Sequence, residues 1–133
     1  MRYVVLFFVL LSWSASYSQD LRSLQALEPS SEYENIHVEK ISEDSLQSSF
    51  VIWIKKSVSQ HYHAEHTENI VVISGKAEMT SGDDTFIIQK GDHLTIPKGT
   101  AHSVTKVFGR KPLKVLSIQA PRFNGSDRIF TKQ

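Results

Sequence analysis

The sequence predicts an all-β chain, a sandwich or barrel of antiparallel strands, on three observations. Short runs of alternating apolar and polar residues follow one another from Tyr33 to Gln119. Turn-forming residues punctuate them closely, at Ser74-Gly75, Gly82-Asp83, Gly91-Asp92, Pro97-Lys98-Gly99 and Gly109 to Pro112. No segment of the mature region carries a helical period long enough for a sizeable helix, so about eight short strands must bury their apolar faces against one another. A chain of 133 residues fits one such domain. Closing the sheets removes exposed edges and leaves a mouth in which a small barrel can hold one ligand.

The elements divide the chain into residues 1–18, 19–32, 33–120 and 121–133. Arg2 precedes an unbroken apolar run from Val4 to Leu11, and Ser14 to Ser18 then supplies small residues. This is the order of a secretory signal peptide, cleaved after Ser18. The apolar run is short of the roughly 20 residues that span a bilayer. No cysteine follows it to carry a lipid anchor. The expectation is therefore an exported protein, periplasmic or secreted, beginning at Gln19 and not held in a membrane. Residues 19–32 form an N-terminal extension, in which Asp20 to Leu27 suits a short amphipathic turn of helix ended by Pro29.

The strands then follow in order. Ile36, Val38 and Ile41 lie among polar residues, and Phe50, Ile52 and Ile54 alternate with Val51, Trp53 and Lys55. His61 to His63 reads as strand, and Asn69 to Ile73 is a β-branched run. Lys76–Thr80 and Thr85–Gln89 flank Ser81-Gly82-Asp83-Asp84 as a hairpin. His93–Ile96, Ala101–Phe108 and Leu113–Gln119 complete the set, and residues 121–133 read as an extended tail over the surface.

Charge and cysteine content narrow the chemistry. Fifteen basic and fourteen acidic side chains give a formal net charge of +1, and the longest basic runs are the pairs Lys55-Lys56 and Arg110-Lys111. That balance argues against nucleic-acid binding, which wants a basic stripe. The absence of cysteine excludes disulfides, thiolate zinc sites, iron–sulfur clusters and cysteine nucleophiles.

One constellation carries chemistry. His61 and His63 project from the same face of a strand, with Tyr62 on the other. Two adjacent imidazoles make a poor core, because each buries polar nitrogens, but they supply two neighbouring positions on a metal. A turn over Ala64 to Thr67 can return Glu68 to their side. A further ligand must come from among His37, His66, His93 and His102.

His61-Tyr62-His63, four residues, Glu68, six residues and Gly75 match one motif of the cupin superfamily. Gly91, five residues, Pro97-Lys98-Gly99, two residues and His102 match the second. The chain thus resembles a small single-domain cupin, with a spacer of fifteen residues between Gly75 and Gly91. The resemblance implies a double-stranded β-helix, or jelly-roll barrel. It also implies that His61, His63, Glu68 and His102 bind one divalent metal inside it. Two positions depart from the family: Lys106 stands where an asparagine is common, and Lys55 where the first motif often opens with glycine. Gly75 and Gly91 fall where strands end and the chain must turn, a place for positive φ.

The other candidates are weighed by spacing. Glu65 is a rival to Glu68, which the family spacing favours. His66 is expected at the cavity rim or in solvent, His93 at the pocket or the surface, and His37 at the surface. Phe50 and Trp53 are expected as core aromatics, with one of them able to wall the cavity. Tyr62 is expected in packing.

A mixed nitrogen–oxygen shell suits Fe, Mn, Ni, Co, Cu or Zn and leaves positions open on an octahedral ion. The expected partner is a small-molecule ligand. The expected role is a metalloenzyme, an oxygenase or an isomerase or lyase, with a non-catalytic small-ligand or sugar-binding module as the alternative. No acid or base is singled out by spacing among His93, His66, Glu65 and Tyr62. Cupins commonly pair through a sheet or swapped strand, so the resemblance also carries a homodimer as an expectation.

Overall fold

The structure is a computed structural model that describes residues 20–131. The expected signal peptide and its cleavage site lie outside the described residues. Ten strands form: β1 (Ile36–Glu43), β2 (Ser48–Ile54), β3 (Val58–Tyr62), β4 (Thr67–Ser74), β5 (Lys76–Ser81), β6 (Asp84–Gln89), β7 (His93–Ile96), β8 (His102–Val107), β9 (Leu113–Ala120) and β10 (Ile129–Phe130). No helix forms among the described residues. The turn expected between Asp20 and Leu27 is a single one, closed by Ala26 and Leu27 N–H donating to the Ser23 carbonyl at 3.1 Å each.

The strands make two five-stranded antiparallel sheets, β1-β2-β9-β4-β7 and β10-β3-β8-β5-β6. Sequence neighbours such as β3 and β4 lie in different sheets, while β9 returns to sit between β2 and β4. This is the double-sheet jelly roll. The tail expected over the surface instead contributes β10, where Ile129 pairs with Tyr62 and Phe130 with His61.

Pairing fixes which side chains share the space between the sheets. Opposed residues in an antiparallel ladder point to one face. Phe50, Ile52 and Ile54 on β2 oppose Ser117, Val115 and Leu113 on β9. Ile70 and Val72 on β4 oppose Ser117 and Val115, and Glu68 opposes Gln119. Each inward row therefore runs from apolar at one end of the barrel to polar at the other. Ile54, Val72, Ala77, Met79 and Leu113 fill the apolar end and are nearly or fully buried. Glu68, His102, Ser117 and Gln119 crowd the other.

The outer face of the first sheet carries Val51, Trp53 and Lys114, all buried. The N-terminal extension covers it: Lys114 Nζ donates to the Leu27 carbonyl at 2.5 Å and the Gln25 carbonyl at 3.3 Å. Trp53 thus packs under this arm rather than in the barrel. Phe50 walls the cavity.

Gly75, between β4 and β5, has φ of +89°. A Cβ there would stand 2.7 Å from the Pro112 carbonyl oxygen and 2.8 Å from Leu113 Cα, both main-chain atoms that cannot swing away. Gly75→Ala combines left-handed strain with overpacking. It is expected to lower the unfolding free energy by roughly 2–5 kcal/mol, read from urea denaturation. An unchanged midpoint would refute that reading.

Candidate metal centre

His61 on β3 pairs with His102, the first residue of β8. His63 lies just past β3, and its carbonyl accepts from Gly99 N–H at 2.6 Å, which ties the two sequence motifs together. Glu68 is the second residue of β4. All four are buried, none more than 6% exposed. One ring nitrogen from each of His61, His63 and His102 falls within a group whose members all lie within 4.8 Å of one another. Glu68 Oε2 stands 3.2 Å from His102 Nε2 and 3.8 Å from His63 Nε2.

The outer partners of these side chains decide which atoms face inward. His61 Nδ1 lies 2.8 Å from the Ser59 carbonyl, and His102 Nδ1 lies 2.9 Å from the Thr100 carbonyl, so each donates to the residue two before it. His63 Nδ1 donates to the Asp127 carbonyl. A carbonyl only accepts, so each Nδ1 holds the proton and each Nε2 presents a lone pair to the centre. Glu68 Oε1 accepts from Ser117 Oγ and, at 3.4 Å, from Gln119 Nε2, which leaves Oε2 to the histidines.

The residues fit a metal on an observation of their own: His63 Nε2 is buried and has no hydrogen-bond partner. A buried polar atom without a partner is costly, and an ion beside it removes the cost. Three imidazole nitrogens and one carboxylate form a donor set for a first-row divalent ion.

The same packing sets the charges. Burial alone would raise the Glu68 carboxyl, but the adjacent His102 ring, the hydrogen bond from Ser117 and the nearby His63 outweigh it and hold the pKa down at about 2. Burial lowers His61 to about 4, against the opposing hydrogen bond to Ser59. Both shifts favour the metal-ready forms, neutral imidazole and carboxylate. In metal-free protein the folded chain resists protonating His61 while the unfolded chain accepts the proton near pH 6.5. Stability is full above that pH and falls as pH drops towards 4, by on the order of 3 kcal/mol. The contribution of Glu68 is present above about pH 4.5 and is lost below it, towards pH 2. Urea unfolding at pH 7.5 and pH 4.5 reads the first loss, and His61→Asn should shrink the difference. Equal differences in both chains would count against it.

The cavity above the centre has a volume of about 140 Å³. Phe50, Ile52, Ile70 and Val115 are among its apolar walls, and Gln119, Phe123 and Arg128 reach it from the far end of β9 and from the tail.

His66 departs from its expected place. It is 2% exposed, with Nδ1 on Asp127 Oδ2 and Nε2 3.0 Å from the Arg122 carbonyl. Asp127 also accepts from the backbone N–H groups of Ala64, Glu65 and His66 at 2.8, 2.8 and 3.2 Å. One buried carboxylate thus holds the whole turn between the second histidine and the glutamate. Glu65 and His93 are exposed. His37 is half-buried outside the cavity, 3.1 Å from Glu39 Oε1. Lys106, at the position of the family's usual asparagine, is exposed.

Sequence reasoning missed Ser117, Gln119, Phe123, Asp127 and Arg128. The first two left a signal, polar residues two apart on the inward row of an otherwise apolar strand. The other three belong to an irregular tail whose return to the barrel no period announces.

Comparison with known proteins agrees with this architecture. An uncharacterized protein of Aquifex aeolicus is 34% identical over 96 residues, covering 72% of this chain and 78% of that one. An uncharacterized conserved protein with a double-stranded β-helix domain from Klebsiella pneumoniae superposes with a TM-score of 0.71 at 18% identity, over 87% of this chain and all of that one. A structure of oxalate decarboxylase aligns with a TM-score of 0.58 at 28% identity, over 69% of this chain and 27% of that chain. The cupin domain family profile matches residues 50–119, more than half of the sequence. With its two-sheet jelly roll and a histidine–glutamate cluster able to hold a metal ion, the chain belongs to the cupin domain family.

Proposed function

We propose that this cupin is an exported metalloenzyme that acts on a small molecule, with His61, His63, Glu68 and His102 as ligands of one divalent ion. The observation that carries the reading is the inward convergence of three Nε2 lone pairs on a carboxylate at the floor of a cavity, each imidazole already locked from behind. When bound, the ion supplies Lewis acidity or oxygen activation, the basis of an oxygenase or of an isomerase or lyase. This chain's residues fix the ligands, keep the carboxylate charged and offer apolar walls that exclude water. The likeness to oxalate decarboxylase supports the lyase side of that pair.

One observation favours the second reading, a small-ligand binding module. Apart from the four ligand residues, Arg128 is the one charged side chain lining the cavity among the described residues. Among the described residues, no aspartate, glutamate, histidine, lysine or tyrosine beyond the ligand set lines it to serve as a general base.

Turnover separates the two. Metal-loaded protein is incubated with catechols, thiols, keto-acids and sugars, following oxygen uptake and product formation. Turnover that disappears with His102→Ala supports the enzyme; tight binding of one compound, without turnover and unchanged in that variant, supports the module. Export is read from the mass of protein recovered outside the cytoplasm, expected to begin at Gln19.

A further inference from the structure

Arg128 stands at the cavity for reasons of backbone geometry. Asp127 is pinned to the 64–66 turn, and Ile129 pairs with Tyr62. The residue between them is thereby held where it lines the same cavity as His61. Phe130 lies under the guanidinium, 5.2 Å from its carbon to the ring centroid, and its ring sits 6.0 Å from that of His61.

The guanidinium has no carboxylate partner among the described residues, where Arg22 pairs with Asp20 and Arg122 with Glu43. Although the residue is exposed overall, its surroundings are dry enough to lower its pKa, desolvation outweighing the attraction of Glu68. It stays protonated, since arginine does not lose its charge in proteins. A positive fork facing a largely apolar cavity, with its five donors uncommitted to a protein carboxylate, is suited to a planar anion.

The rest of the cavity sets the remainder of the ligand. Its volume of about 140 Å³ is close to the roughly 150 Å³ apolar cavity that accepts benzene. Phe50, Phe123, Ile52 and Val115 offer no partner for a polyhydroxylated surface. A sugar would strand its hydroxyls against them.

Resting on the cavity proposed above as the substrate site, we propose that Arg128 is its anion-recognition residue and that the ligand is a small carboxylate with a compact apolar body, aromatic or branched aliphatic. The carboxylate meets the guanidinium at the mouth and the apolar body fills the space above the histidines.

The test uses benzoate and isovalerate against their neutral isosteres benzamide and isovaleramide, titrated calorimetrically into the full chain with and without one equivalent of Zn²⁺. Each carboxylate is expected to bind more tightly than its amide. Arg128→Gln should weaken the carboxylates by roughly tenfold to a hundredfold and leave the amides unchanged, the worth of a charged hydrogen bond. Arg128→Lys, which keeps the charge without the fork, should recover part of the loss. Comparing variants in the same metal state cancels any direct contact between carboxylate and ion. Carboxylates bound equally by wild type and Arg128→Gln, or no better than amides by wild type, would overturn the assignment. Metal content, measured in parallel, tests the centre separately: unchanged zinc in Arg128→Gln with lost carboxylate affinity supports the anion site. Failure of the wild type to hold zinc counts against the metal reading alone, because the metal-free titrations still read Arg128.

Discussion

A His63→Ala chain is expected to fold and to lose its metal. His63 Nε2 is one of two buried side-chain polar atoms without a hydrogen-bond partner among the described residues, Gln119 Oε1 being the other, so its removal deletes a metal donor and an unsatisfied group in one step. The metal-free variant should unfold at a moderately lower denaturant concentration than metal-free wild type, because the Asp127 carbonyl loses its donor, while affinity falls by more than the roughly 100-fold that losing an outer partner costs. His37→Ala, outside the cavity and bonded to Glu39, is the control, and its metal content should match wild type. Equal loading of the two variants would remove His63 from the ligand set.

The second large effect is expected at a residue that touches no open position on the centre. Asp127→Ala strips acceptors from three backbone N–H groups and from His66, all in the turn between His63 and Glu68. Breaking a buried ionic hydrogen-bond set of this kind costs about 3–5 kcal/mol. The turn then loosens at both ends. His63 loses the fixed carbonyl behind its Nδ1, and metal affinity should drop by about 10- to 100-fold. Asp127→Asn keeps one acceptor oxygen and should fall between. Urea unfolding of metal-free protein reads the first effect and competitive chelator titration the second. A variant as stable as wild type and as tight for metal would show that the tail is an ornament.

These two residues mark how far the sequence could be read. His61, His63, Glu68 and His102 carry fixed spacings, because each sits at a set step along a strand or just past a turn that needs glycine or proline. Strand periodicity places most of the barrel for the same reason: alternation is the direct imprint of one inward face. Asp127 has no such imprint. It lies in a stretch with neither period nor apolar run, and its partners are 61 to 63 residues away in sequence. His66 misleads on its own, since a histidine in a polar turn reads as exposed until the carboxylate that buries it is known. Trp53 shows the complementary limit. Alternation assigns it to the face opposite Phe50, but only the covering arm with Lys114 over its ring, 5.4 Å from the centroid, explains why that face is dry.

The central claim is that three imidazoles and one carboxylate of this chain share one ion. X-ray absorption of the zinc-loaded protein, with metal content measured on the same sample, tests it most directly. One zinc per chain is expected, with the multiple-scattering signature of three imidazoles and a shell of nitrogen and oxygen ligands at about 2.0–2.2 Å. A shell with one imidazole or none, or zinc well below one per chain after loading, would contradict it.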